Sequence, residues 1–225
     1  MPLLRRSLII SAATAVALGL YIEHRIRDLE RRYPITLIPP SNLALLSPPP
    51  GHTAHDAFLI TARSSPVTLD TWTRTFLSTP ALVLESRFLG SEPPDVGSDG
   101  FHSGQQLLNG IFNVVRVPSD DEGLLVDWEL PDSTVRFFEK LARWKYPWRL
   151  MTGGRHEWVV KYTEEMEITE VGWGSVHFYR EFGDGRTIPE WTKRWHRAYA
   201  RYLVDAAVMK MERERVVRMF GGRQW

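Results

Sequence analysis

Cysteine is absent from the 225 residues. That single absence removes disulfides, zinc thiolates and a thiol nucleophile together. Surplus charge is missing too. The 28 Lys and Arg residues face 27 Asp and Glu, for a formal net charge of +1, so nothing in the overall balance favours nucleic acid. No P-loop and no His-Glu-x-x-His pair occurs. The segment GWGSVH (172–177) lacks both the spacing of a nucleophile elbow and the third glycine of a dinucleotide fingerprint. There is no Asn-x-Ser/Thr glycosylation acceptor and no internal repeat. What is left is a cofactor-free activity or binding alone, with no metal and no cofactor expected.

Long apolar runs are confined to the N-terminus. Residues 7–22, SLIISAATAVALGLYI, carry no charge and are flanked by Arg5, Arg6 and then EHRIRDLERR. The run approaches the ~20 residues of a membrane span, and snorkelling arginines extend it. The sequence reading is therefore one N-terminal transmembrane helix, within an anchor and juxtamembrane helix over 1–33. A cleaved signal peptide, with ATA at 13–15 as its small-residue site, and a mitochondrial presequence stay open as alternatives. Arg25, Arg27, Arg31 and Arg32 outnumber Arg5 and Arg6, so the positive-inside rule places the following domain in the cytosol, with the endoplasmic reticulum as the expected membrane. Pro34, Pro39, Pro40 and Pro48–Pro50 read as a stiff linker over 34–51, ahead of a domain at 52–225. His52 and His55 stand three apart in a loop setting without a third ligand, which is not a metal site.

What the domain has in excess is aromatic surface: 9 Trp, 7 Tyr and 10 Phe. DAFLITARS (56–64) predicts a strand. Thr68 and Pro80 bound two short helices with Trp72, Phe76 and Leu77 on one face. GIFNVVRVPS and GLLVDWELP predict a hairpin, STVRFFEKLARWKYPWRL a short amphipathic helix, and the stretch from Arg155 to Phe182 two further strands. From Pro189 a long helix is predicted, with Trp191, Trp195, Ala198, Tyr199, Tyr202, Ala206 and Met209 as its apolar face and Lys193, Arg197, Arg201 and Asp205 opposite. The fold class is α+β, a curved antiparallel sheet packed on a long C-terminal helix.

Alternation in VGWGSVHFYRE (171–181) places Trp173, Ser175, His177 and Tyr179 on one strand face, with Gly172 and Gly174 opposite. The preceding strand alternates His156, Trp158 and Tyr162, and the hairpin offers Asp127 and Glu129. An aromatic wall with a few polar groups suits a cavity for an apolar ligand. Carboxylate, imidazole and phenol together suit proton transfer at a carbonyl. The candidate catalytic residues are thus His177, Tyr179, His156 and Asp127, and the candidate ligand-binding residues are Trp173, Trp158, Tyr162, Trp195 and Tyr199. His196, at the margin of the helix face, reads as a packed or exposed imidazole. Equally ordinary is a sheet whose His and Tyr face water or fill a core edge.

The element order over about 56–213, with DAFLITA before a helix pair and WHRAYARYLVDAA in the last helix, resembles the helix-grip fold of the START/Bet v 1-like superfamily. That resemblance implies a ligand cavity between sheet and final helix. Anchor, Pro-rich linker and Trp-rich domain together look like small membrane-tethered accessory proteins of fungal secondary-metabolite clusters. This second likeness implies a hydrophobic polyketide or terpenoid intermediate as ligand, cofactor-independent cyclisation or isomerisation as activity, and other membrane-bound biosynthetic enzymes as partners. A non-catalytic carrier of the intermediate and a structural adaptor remain the alternatives.

Overall fold

In the computed structural model the described residues are 2–38, 43–88, 90, 92–119, 122–163 and 168–220. Helix α1 (Pro2–Arg32) leads into a two-residue strand β1 (Ile35–Thr36) and a short helix α2 (Leu43–Leu46). Strand β2 (His52–Ser64) is followed by α3 (Leu69–Leu77), α4 (Pro80–Arg87), β3 (Gln106–Leu107) and a 3-10 turn at Leu108–Gly110. Then come β4 (Phe112–Arg116), β5 (Leu124–Glu129), α5 (Asp132–Arg143), β6 (Gly153–Thr163), β7 (Ile168–Arg180) and α6 (Glu190–Phe220). The strands form one antiparallel sheet in the order β1-β2-β7-β6-β5-β4-β3. The chain is α+β, with a seven-stranded antiparallel sheet and a long C-terminal helix.

Local chemistry accounts for the boundaries. Thr68 caps α3 by accepting from the Thr71 N–H at 3.2 Å, and Pro80 opens α4 in the first turn, where its missing N–H costs nothing. On the inner face of the sheet α3 and α6 bury Phe58, Ile60, Trp72, Phe76, Trp158, Trp173, Leu203, Val204 and Ala207 in one core. The segment read as a linker is not a free spacer. Ile35 and Thr36 pair with Ile60 and Leu59, and Leu45, 1% exposed, packs on the outer face with Leu125, Val176 and Phe178. Gly174 marks that close approach, since a Cβ there would sit 2.9 Å from the Leu45 side chain.

The phase of α6 differs from the sequence expectation. Ala198, Ala200, Leu203, Val204, Ala207, Val208 and Met211 are buried, while Trp191, Trp195, Tyr202 and Met209 are exposed. Two of the residues read as solvent-facing, Arg201 and Asp205, are buried because α1 packs there. Asp205 accepts from Arg32 at 2.7 Å and from the Tyr33 hydroxyl at 2.9 Å, and Arg201 donates to the Tyr33 carbonyl at 2.9 Å. A helix gripped on two sides has two buried stripes, and the large aromatics are left between them. Among the described residues no helix is long and apolar enough to cross a membrane. The uncharged run within α1 is only 16 residues between its arginine flanks and Glu23.

Candidate functional site

A cavity of about 790 Å³ opens between the inner sheet face, α4 and α6. Its wall is mainly apolar and aromatic, with Phe76, Phe88, Phe112, Trp128, Trp173 and Tyr199 prominent. Two imidazoles, His156 from β6 and His196 from α6, join that wall. Pairing explains the placement. His156 lies opposite Ser175, and Trp158 opposite Trp173, so alternation turns all four toward α6.

Behind His196 lies a cluster of charged and polar groups. The rings of His177 and His196 are 4.5 Å apart between centroids. His177 Nδ1 is 3.5 Å from Asp56 Oδ2, and the Arg197 guanidinium contacts Asp56 Oδ1. The side chains of Asp56 and His177 are 0% exposed. Asp56 Oδ2, both ring nitrogens of His177, and Nδ1 of His196 and of His156 are buried without a hydrogen-bond partner. So many orphaned groups in one place are uncommon in a core and make this cluster the candidate site.

The backbone supports the same reading. The register of β2 on β7 slips between His55 and Phe58, and Asp56 sits in that bulge with φ 53°. A left-handed non-glycine residue costs of order 1–3 kcal/mol, and here the strain aims a carboxylate into the core. Burial pushes the Asp56 carboxyl up, but His177 and Arg197 outweigh burial and hold it below its ordinary range, so it is ionised at neutral pH. Burial lowers His196 to about 3, with the His177 ring adding to the effect and Asp56 opposing it. Burial, then His196 and His177, lowers His156 well below the ordinary value of 6.5. Both cavity imidazoles are therefore neutral at pH 7.

The donor atoms of Asp56, His177 and His196 all lie within 4.8 Å of one another, a set that fits a divalent ion by ligand type. Charge argues against that use. Asp56 already neutralises Arg197, and a dication among these groups would lie beside a guanidinium in a site of low dielectric. The same geometry brings carboxylate, imidazole and imidazole into close contact, so that Asp56 and His177 back the His196 ring.

The predicted site residues divide. Trp173, His156 and Tyr199 line the cavity, and His177 stands behind it. Trp158 is fully buried beneath, against Phe76 and Phe112. Tyr179 shares the face but not the cavity. It meets His55 edge-on, its hydroxyl accepts from the Ile188 N–H at 3.4 Å, and burial pushes it up to about 12. Asp127 lies on the opposite face, where Asn113 donates to it at 3.1 Å, because odd positions of β5 point away from α6. Tyr162, near the far end of β6, is 57% exposed, and Trp195 is 53% exposed on α6. Neither lines the cavity. Asp56, His196 and Arg197 join the candidate site without a signal in the sequence. No pattern in HDAFLITA announces the bulge, and Arg197 was assigned to solvent by the helix phase.

No protein-family model, curated protein or solved structure matches the chain.

The buried imidazoles predict an acid-sensitive fold. Each has a folded pKa below its unfolded value, so the unfolded chain takes up protons first. Their contribution is complete above pH 6.5 and falls as pH drops below it, that of His196 being lost toward pH 3. Between pH 7 and 4.5 His196 is expected to remove about 2–3 kcal/mol of stability, and His156 acts in the same direction. Urea midpoints measured across that range should fall steadily, and His196→Gln should flatten the slope. An unchanged slope in that variant would mean that His196 is not held neutral by the fold.

Proposed function

We propose that this chain is a membrane-tethered, helix-grip-like protein that binds a hydrophobic polyketide- or terpenoid-like intermediate and promotes its cyclisation or isomerisation without a cofactor. The observation that carries the reading is a 790 Å³ aromatic-walled cavity with two neutral imidazoles in its wall. The volume suits a ligand of drug size. A neutral imidazole beside a ligand carbonyl donates its N–H to the oxygen as negative charge develops, which is electrostatic stabilisation aimed at the transition state. His196 and His156 are the groups that touch the ligand. His177, Asp56 and Arg197 are positioning residues that fix the His196 ring. Ring closure and double-bond shift conserve atoms, since a proton leaving one carbon returns to another, so no oxidant or acceptor is needed. Aromatic walls add rate by holding a flexible chain in a folded conformation. Tethering is supported by the uncharged run of α1 and by the exposure of Val16, Leu18, Leu20 and Tyr21.

Lipophilic extracts of the native host, incubated with the full-length chain and followed by mass spectrometry, supply the test. We expect a bound apolar species and a product of equal mass but altered retention. His196→Ala and His156→Ala should cut product formation by about 10²-fold or more each, in line with removal of an oxyanion donor, while ligand still binds. Binding without any change in the ligand would favour the carrier alternative. No bound species at all would sink the reading.

A further inference from the structure

The domain also carries an exposed aromatic surface whose tryptophans do not line the cavity. Trp144, Trp191 and Trp195 are 71%, 59% and 53% exposed, and Phe137 and Phe182 are exposed as well. Phe137 and Lys140 lie three apart on one face of α5, Trp144 follows at its C-cap, and the Lys140 ammonium lies 5.3 Å over the Trp144 ring. Ring contacts run on without a break from Phe137 to Phe138, Tyr146, Trp148 and Trp191, at centroid separations of 5.6, 6.4, 5.2 and 5.9 Å. The patch thus joins α5 to the start of α6.

Its unpaired charge around α5 is basic. Between Ser133 and Arg149 the basic residues are Arg136, Lys140, Arg143, Lys145 and Arg149, against Glu139 alone. Arg136 pairs with Asp132, Arg149 with Asp184, and Glu139 with Arg180. Lys140, Arg143 and Lys145 are exposed and make no ion pair among the described residues. Aromatic side chains interleaved with unpaired cations are the composition of a bilayer interface, where ring bodies sit among headgroups and cations meet phosphates.

The position of α1 selects the partner. Glu23 pairs with Arg194, Glu30 with Arg194 and Arg201, and Arg32 with Asp205, so α1 and α6 run parallel. Residues before Glu23 therefore continue past the start of α6 at Glu190, on the side of Trp191 and Trp195. The uncharged run leaves the domain at the end that carries the aromatic and basic patch.

We propose that this end of the domain is a docking face for an anionic phospholipid bilayer. Phe137, Trp144, Trp191 and Trp195 enter the headgroup layer, and Lys140, Arg143 and Lys145 bind its phosphates. The inference rests on the tethering reading, because α1 supplies the high local concentration that makes a weak surface contact persist. Docking holds the domain against the bilayer in one orientation, so an apolar ligand has a short path to the domain.

Full-length protein is mixed with vesicles of phosphatidylcholine, with or without phosphatidylserine. Flotation reads tethering, and amide hydrogen exchange over residues 132–149 reads docking. Flotation on both vesicle types is expected, with exchange slowed only on the serine lipid, by about fivefold for each basic residue that reaches the surface. Lys140→Glu, Arg143→Glu and Lys145→Glu in one chain should abolish the slowing but not the flotation. All three are exposed, and an unchanged melting curve checks the fold. High salt should weaken the slowing as well. Failure to float on either vesicle overturns tethering, and docking with it. Flotation with equal exchange on both vesicles overturns docking alone. Slowing that appears only on adding a membrane protein from the same host assigns the face to a protein partner and overturns the lipid proposal.

Discussion

Replacing Asp56 by asparagine is expected to destabilise the protein by about 3 kcal/mol, toward the low end of what breaking a buried ion pair costs. The Asp56 side chain is fully buried, whereas the Arg197 side chain is 31% exposed and regains some water when its partner is lost. That residual hydration keeps the figure at the low end. Asparagine tolerates the left-handed backbone at φ 53°, so the variant removes charge without adding strain. Asp56→Gly separates the two effects, because glycine relieves the strain while deleting the carboxylate. Pairing Asp56→Asn with Arg197→Met should recover part of the loss, since two uncharged partners leave no isolated charge. Urea denaturation of wild type, Asp56→Asn, Arg197→Met and the double variant gives the cycle. A wild-type midpoint for Asp56→Asn would show that the carboxylate is not engaged, and its positioning role behind His196 would have to be abandoned.

The inner sheet face was legible and the cluster behind it was not. Strict alternation in β6 and β7 carries His156, Trp158, Trp173 and His177 to the α6 side, as the sequence pattern predicts. Alternation says nothing about bulges. The slip between His55 and Phe58 turns Asp56 inward, and strands with such slips give no period-2 signal at the residue concerned. Distance along a strand was equally silent. Tyr162 and Tyr179 belong to the same strands as His156 and His177 but stand where the cavity has ended. Asp127 failed for a different reason. Its face was placed opposite Trp128 correctly, but which face meets α6 depends on the register with β6, and a hairpin alone does not fix that. For α6, hydrophobicity pointed to the largest side chains, whereas the buried stripes use Ala198, Ala200, Ala207 and Val204, which let the helix approach sheet and α1 closely. Polar Arg201 and Asp205 are buried because α1 brings them partners.

Two tryptophans that look alike in the sequence should therefore behave in opposite ways. Trp158 is 0% exposed, wedged edge-on against Phe76 at 5.4 Å and Phe112 at 6.0 Å. Trp158→Ala is expected to cost about 3–5 kcal/mol, the range for deleting a buried large aromatic. Stability of a domain totals about 5–15 kcal/mol, so this variant should be close to unfolded at physiological temperature. Trp158→Phe should cost much less, because it keeps a packed ring and deletes an indole N–H that has no acceptor. Trp195 is 53% exposed, and Trp195→Ala should shift stability by no more than about 0.5 kcal/mol. Thermal melts of the three variants check the contrast. If Trp195→Ala melts as low as Trp158→Ala, the phase of α6 is wrong, and with it the placing of His196 in the cavity wall, since the two residues are neighbours on the same turn. If only Trp158→Ala collapses, the exposed face of α6 is free to meet something outside the fold.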